Sequence, residues 1–374
     1  MQLPFSDTLN ISCFSRLFDN KSECYKLFWF QAIARKIKEG EKILSFETLI
    51  DEMITDAWYM VAEYHLNLGP NDALEKVVHR LYQISHMKSS EKKEHILAYL
   101  KDCEDREVTV LKRTLSQNVP YRLQAPLMAS MKGKEWARSG KKLVERINQE
   151  KDLMYYFREF SGLKTQICIQ KEWAEYIEWN YEIIEGWIQL NLIHYLQRRN
   201  PSVPGIVDKL YPPKERNLEK VKRYWKKVLA IKPFHEIYGG LCLNPNQISI
   251  DHFVPWSYVA HDEFWNLTPT TRQINSSKSN NLPDWNRYFP VLSKIEYASY
   301  EMMWQYSQVH DAFEQCVGDH LNNDEIRQKL YRKGLSETEF SNQLENVLLP
   351  VYQSAKNMGY PNWILKEGLT DGLL

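Results

Sequence analysis

The sequence predicts a mainly α fold, with a large helical N-terminal domain, a small module of two strands and a helix, and a helical C-terminal region. Three observations carry this. Apolar residues recur at three- and four-residue spacing through most of the first 200 residues. A proline-rich break, RNPSVPGIVDKLYPPKER, follows them. Beyond it, two short apolar runs flank the turn triplet NPN ahead of a polar helical segment. The expected domains are therefore 1–200, a linker over 201–217, the small module over 218–290 and the C-terminal region over 291–374.

The N-terminal elements follow in order. Tyr25 to Glu39 is mainly apolar and stops before Gly40, a residue suited to a helix C-cap. Phe46 to Tyr64 carries Leu49, Ile50, Met53, Ile54, Ala57, Trp58 and Val61 at helical spacing, with Ser45 as the N-cap. GPND at 69–72 reads as a turn, with Pro70 suited to a first helical turn. Helices are expected at about 71–86, 90–101 and 105–117, whereas 118–150 is basic, glycine-interrupted and without a clear period. A single helix is expected over 171–199. Its stripe of Trp173, Ile177, Ile184 and Trp187 admits one polar member, Asn180, better read as a hydrogen-bonded packing residue than as a functional one.

After the linker, Leu218 to Leu229 forms a short helix with Val221, Trp225 and Val228 on its apolar face. From Lys214 to Lys232 eight basic and two acidic residues leave a local charge of 8 − 2 = +6. Such a run is either a solvated face or a phosphate-binding one, and Arg223, Lys226 and Lys227 are its candidates. HEIYGGLCL and QISIDHF read as a hairpin about NPN. LTPTTRQINSSK then reads as a helix, with Thr268 at its N-cap and Pro269 in its first turn. The chain is helical again beyond Pro290. SETE at 336–339 has capping-box form, starting a helix to about Leu349 that Pro350 is placed to kink or split.

Composition limits the function classes. Apolar content of 43% and aromatic content of 13% exclude a disordered chain. With 48 basic and 48 acidic residues the net charge is zero, so contact with nucleic acid must come from local patches. The six cysteines form no CxxC pair, which argues against a zinc knuckle or a disulfide framework and suits a reducing cytoplasm. The first residues lack a basic start and apolar core, and the apolar run LFWFQAIA is too short to span a bilayer, so no signal peptide and no membrane partner are expected.

The chemistry concentrates in SIDHFVPWSYVAHDEFWNLTPTTRQINSSKSNNLP, residues 249–283. Asp251 and His252 end a strand, and Asn275 lies in the helix that follows. Carboxylate and amide oxygens suit a hard cation such as Mg²⁺ or Mn²⁺. A neutral imidazole beside them can take a proton from a water attacking a phosphodiester. Each residue alone is weak evidence. His261 reads as an ordinary loop histidine rather than a second base, Asp262 and Glu263 as capping or solvated groups rather than further metal ligands, and Trp256 and Trp265 as packing under the loop rather than stacking on bases. Cys242 with His235 falls short of a zinc site. Arg272, one turn before Asn275, either reaches phosphate or faces solvent.

The ordered set resembles the HNH, or ββα-metal, endonuclease family, in particular the branch that includes the HNH domain of RNA-guided CRISPR nucleases. The residues that carry the likeness are Asp251-His252-Phe253-Val254-Pro255, then Asn266, then Asn275, Lys278, Ser279, Asn281 and Pro283. The resemblance covers roughly 50–60 residues and implies roles for five of them. His252 would be the general base, and Asp251 and Asn275 would hold one divalent metal. Asn266 would fix the loop and orient the histidine, and Lys278 would stabilise the phosphate or close the helix end. Many relatives have histidine where Asn275 stands, and asparagine is an accepted variant. The zinc-binding cysteine pairs of some relatives are absent, so packing alone is expected to hold the hairpin. The resemblance implies a metal-dependent endonuclease acting on DNA, in a restriction-like or anti-phage defence role. The helical domain would then recognise DNA, bind an activating partner or hold a homodimer. The alternatives are a nucleic-acid-binding or interaction protein on an inactive HNH scaffold, and an RNA-cutting toxin.

Overall fold

A computed structural model describes residues 2–19, 23–137, 140–212, 217–259 and 261–366. Its architecture is mainly α, as expected, and its strands are few and short. Residues up to Pro201 together with Lys209–Pro212 form one unit. Ser202–Asp208 together with the described residues from 217 onward form a second. The stretch expected as a linker is thus divided between the two units, and 213–216, with Lys214 and Arg216 of the basic run, lies outside the described residues. Among the described residues no helix is long and apolar enough to cross a membrane.

The first unit is built on α1 (Ile11–Phe14), α2 (Tyr25–Lys38), β1 (Ile43–Ser45), α3 (Phe46–Ala62), α4 (Ala73–Ser85), α5 (Lys93–Asp102), α6 (Arg106–Leu115), α7 (Val119–Arg122) and α8 (Gly140–Ile147). It continues with β2 (Tyr155–Glu159), β3 (Gln166–Ile169), α9 (Lys171–Trp179) and α10 (Tyr181–Arg199). Ser45 caps α3 by accepting from the Thr48 amide. Asp72 caps α4, accepting from Leu74 and Glu75. Burial of α2 and α3 is nearly continuous, and the charges it encloses are paired: Arg35 bonds Glu52 at 3.0 Å and Asp56 at 2.6 Å.

Two features of this unit depart from expectation. The helix over 171–199 is broken at Asn180, which leaves helical geometry (φ −108°, ψ 21°) and donates its amide to the Tyr176 carbonyl at 2.8 Å. The apolar stripe continues on both sides of the break, which is why periodicity does not reveal it. β1, β3 and β2 form an unexpected antiparallel sheet with Ile43 opposite Cys168 and Tyr155 opposite Ile169.

The second unit begins with α11 (Glu219–Ile231), followed by β4 (Ile248–His252), β5 (Leu267–Thr271), α12 (Arg272–Lys278) and β6 (Leu282–Pro283). The helices α13 (Trp285–Gln305), α14 (Ser307–His320), α15 (Asp324–Leu330) and α16 (Glu337–Asn357) follow, then β7 (Asn362–Trp363). The capping box at Ser336 and Glu339 is present, and α16 continues through Pro350 to Asn357. One hydrophobic core runs from Val221 to Leu365 through Trp225, Phe253, Phe264, Leu267, Ile274, Tyr288 and Leu348. The C-terminal helices, expected as a region of their own, therefore share a core with the strand-strand-helix module.

Candidate active site

The strand pairing differs from the expected hairpin. β4 pairs with β5, not with 235–243, in the register Ile248–Thr271, Ile250–Pro269 and His252–Leu267. LTPTT is strand rather than helix. Pro269 lacks an N–H, but a two-stranded ribbon leaves one edge of β5 unpaired, so a proline is tolerated there. The helix begins three residues later than expected, at Arg272. Thr271, not Thr268, is its N-cap, accepting from the Ile274 amide at 3.3 Å. Asn275 consequently lies in the first turn of α12.

Residues 234–243 form a tight turn with one isolated bridge, His235 to Cys242. The carboxylate of buried Glu236 organises it, accepting from the amides of Tyr238 (2.8 Å), Gly239 and Leu241 (3.4 Å) and from the Thr270 hydroxyl (3.5 Å). This corrects the expectation that packing alone holds the segment. A charged acceptor gathers the backbone donors of the turn, and hydrogen bonds to charged groups are worth about twice neutral ones.

That turn presents Tyr238, whose hydroxyl donates to Asp251 Oδ2 at 2.6 Å. Burial, with the adjacent Asp251 charge, pushes the tyrosine's pKa well above its ordinary value, so the proton stays on the phenol. Lys278 Nζ lies 3.1 Å from Asp251 Oδ1 and 2.6 Å from the His252 carbonyl. The lysine side chain is 0% exposed and that of Asp251 4%. Burial lowers the lysine's pKa and Asp251 opposes that shift. A phosphate role for Lys278 is not open in this structure, because its ammonium is enclosed and already spent on two protein oxygens.

Asn266 works on the loop between the strands. Its Oδ1 accepts from the Val254 amide at 2.8 Å and its Nδ2 donates to the Val254 carbonyl at 2.9 Å, while its own carbonyl accepts from Phe253. The loop is thereby pinned to the residues just after His252. Asn275 Nδ2 donates to Ser249 Oγ at 2.9 Å and to the Ile250 carbonyl at 3.0 Å. A carbonyl only accepts, so the amide nitrogen must face it and the amide oxygen faces away.

His252 lies at the end of β4 with its side chain 4% exposed. Its Nε2 is 2.6 Å from Asp262 Oδ1. Asp262, read in the sequence as a capping or solvated residue, is therefore part of the site. Its backbone carbonyl accepts from His320 Nδ1 at 2.8 Å, and the neighbouring Glu263 accepts from Asn322 at 3.0 Å. Trp265 is buried, Trp256 packs against the core and His261 is exposed. Among the described residues no three His, Cys, Asp or Glu side chains converge as a ready-made metal cluster.

The basic run on α11 is partly engaged. Arg223 donates to Gln315 and Lys227 to the Gln308 carbonyl on α14, and Lys220 pairs with Asp319. Lys226 is half-buried, and Arg272 is exposed at the start of α12.

An Asp-His strand end, a loop tied by an asparagine, a second strand and a helix bearing an asparagine make a ββα arrangement. Residues 236–284 match the model of the HNH endonuclease family. The match supports an HNH nuclease module with a nucleic-acid substrate. No curated protein and no solved structure matches the chain.

Proposed function

We propose that the chain is a metal-dependent HNH endonuclease that hydrolyses DNA phosphodiester bonds, as a restriction-like or anti-phage defence effector. One observation carries the reading: Asp251, His252, Asn266 and Asn275 are all present, in family order, on one strand-loop-strand-helix frame. The order of the tail from Asn275 to Pro283 supports a place near the RNA-guided nuclease branch.

The donor set fits a hard cation. Each Asp251 oxygen has a single described hydrogen-bond partner and keeps a lone pair, and the Asn275 amide oxygen faces away from the backbone acceptor that holds its nitrogen. Asp251 and Asn275 would hold Mg²⁺ or Mn²⁺, which when bound offsets charge on the scissile phosphate and the leaving oxygen. His252 takes a proton from the attacking water as the water oxygen bonds to phosphorus. The bond from phosphorus to the leaving sugar oxygen breaks, and that oxygen is protonated from solvent. Asn266 keeps the loop behind His252 in place, and Lys278 holds the Asp251 carboxylate and the His252 backbone together. Phosphate contact is assigned first to Arg272 and Lys226, then to Arg223 and Lys227, which α14 already engages.

One such centre cuts one strand, so a double-strand break requires a second copy or a partner. The helical first unit is proposed to supply that contact or the recognition of DNA. The test is incubation of purified protein with supercoiled plasmid and Mg²⁺ or Mn²⁺, with and without EDTA, beside His252→Ala and a matched RNA. Metal-dependent nicking by wild type, reduced about 10²–10⁴-fold in the variant, supports the reading. Equal cleavage by both refutes the assignment of the base, and cleavage of RNA alone favours the toxin alternative.

A further inference from the structure

We infer that Asp262 is a positioning residue for His252, selecting the ring tautomer and orientation in which Nδ1 is the basic nitrogen. This deepens the nuclease reading and rests on it. A carboxylate only accepts hydrogen bonds, so the nitrogen facing it at 2.6 Å must carry the proton. In the neutral ring that leaves the lone pair on Nδ1. Asp262 therefore settles which atom of His252 receives the water's proton, as a partner on one ring nitrogen sets the role of the other.

The loop that carries Asp262 is built to hold it there. His320, at the end of α14 and nearly buried, donates Nδ1–H to the Asp262 carbonyl, and Asn322 holds the next side chain. On its far side Asn266 ties the loop to Val254 through both atoms of its amide. Asp262 is thus clamped from α14 and from the strand that bears its partner. At 4% exposure the imidazole is shielded from bulk solvent, so its orientation is held by protein groups.

The experiment uses the full chain labelled with ¹⁵N in histidine. The ring nitrogens of His252, assigned through the backbone, report the tautomer directly, and wild type is expected to show protonated Nε2 and unprotonated Nδ1 in the neutral ring. Asp262→Ala is expected to mix the tautomers and lower kcat by about 10–100-fold, the range found for losing the partner that orients a metal-binding histidine, with KM unchanged. An Nδ1–H tautomer in wild type overturns the inference without needing any variant to fold. So does unchanged kcat in Asp262→Ala. A rise in kcat also overturns it, by making the contact a block on His252. If wild type cleaves no nucleic acid, the nuclease reading falls while the tautomer result still decides the pairing. If wild type cleaves and Asp262→Ala matches it, only the role of Asp262 falls.

Discussion

Replacing Lys278 with Met leaves the Asp251 carboxylate inside the fold with the Tyr238 hydroxyl as its remaining described donor, and removes the lysine donor from the His252 carbonyl. Solvent cannot substitute, because the two side chains are 0% and 4% exposed. Removing one member of a buried ion pair costs about 3–5 kcal/mol. Replacing both members, as Asp251→Asn with Lys278→Met, removes the two charges while keeping their volumes. The double variant should therefore recover a coupling of about 2–3 kcal/mol relative to the sum of the singles. The chain has two units, so one global unfolding midpoint is a poor readout. Hydrogen exchange of the β4 and α12 amides reads local opening instead. A divalent ion adds a second arm. At about a hundred times its Kd it stabilises the state that binds it by about 2.7 kcal/mol. Mg²⁺ should protect these amides more in Lys278→Met, where the carboxylate is released to the ion, than in the double variant. A cost below about 1 kcal/mol for the single variant, or strict additivity, would refute the buried-pair reasoning. Equal metal responses would remove Asp251 from any metal site.

Three further outcomes are expected. Burial pushes Glu296 well above its ordinary value of 4.5, so the folded state keeps a proton that the unfolded chain releases. Its contribution to stability is fully present below about pH 4.5 and is lost as pH rises through the raised pKa. Glu296→Met, which also removes the unsatisfied Oε1, should flatten that dependence and stabilise the second unit by about 1–3 kcal/mol at neutral pH, read from hydrogen exchange of the α13 amides across pH after correction for intrinsic rates. Glu236→Ala orphans the buried Tyr238 amide and should cost about 1–3 kcal/mol, visible as faster exchange confined to 236–243, whereas Glu236→Gln should cost less. The Lys226→Ala/Lys227→Ala variant should lower the magnitude of the salt slope of DNA binding by about 0.9 for each phosphate that is no longer neutralised, and an unchanged slope would make that face merely solvated.

Local signals were legible where one residue type satisfies one backbone need. Ser45 and Ser336 start helices because their hydroxyls accept from orphan amides, and both appear as read. Asn180 and LTPTT misled because their local patterns fit two structures: a side-chain bond to the Tyr176 carbonyl accompanies the break at Asn180, and pairing with β4 makes LTPTT a strand. Thr268 and Pro269 look like a helix start, but opposite Asp251 and Ile250 they complete a ribbon. In the site, Asp251, His252, Asn266, Asn275 and Lys278 stand out as an ordered motif. Tyr238, Asp262 and His320 do not, because each reaches its partner through the folded path of the chain. Tyr238 meets a carboxylate 13 residues away, and His320 a carbonyl 58 residues away.

The last described strand bears on how the module is cut from its chain. β7 lies parallel to β6, with Pro283 opposite Trp363, and the Trp363 ring meets Tyr238 edge-on at 5.2 Å. Tyr238 in turn holds Asp251. The segment that matches the endonuclease family stops at residue 284, yet a wall of its acidic centre is supplied from residue 363. The module is therefore not a portable cassette. An excised 236–284 fragment would lose the tryptophan behind its own tyrosine, and a tag or cut that peels β7 away would be felt at Asp251, with only Tyr238 between them.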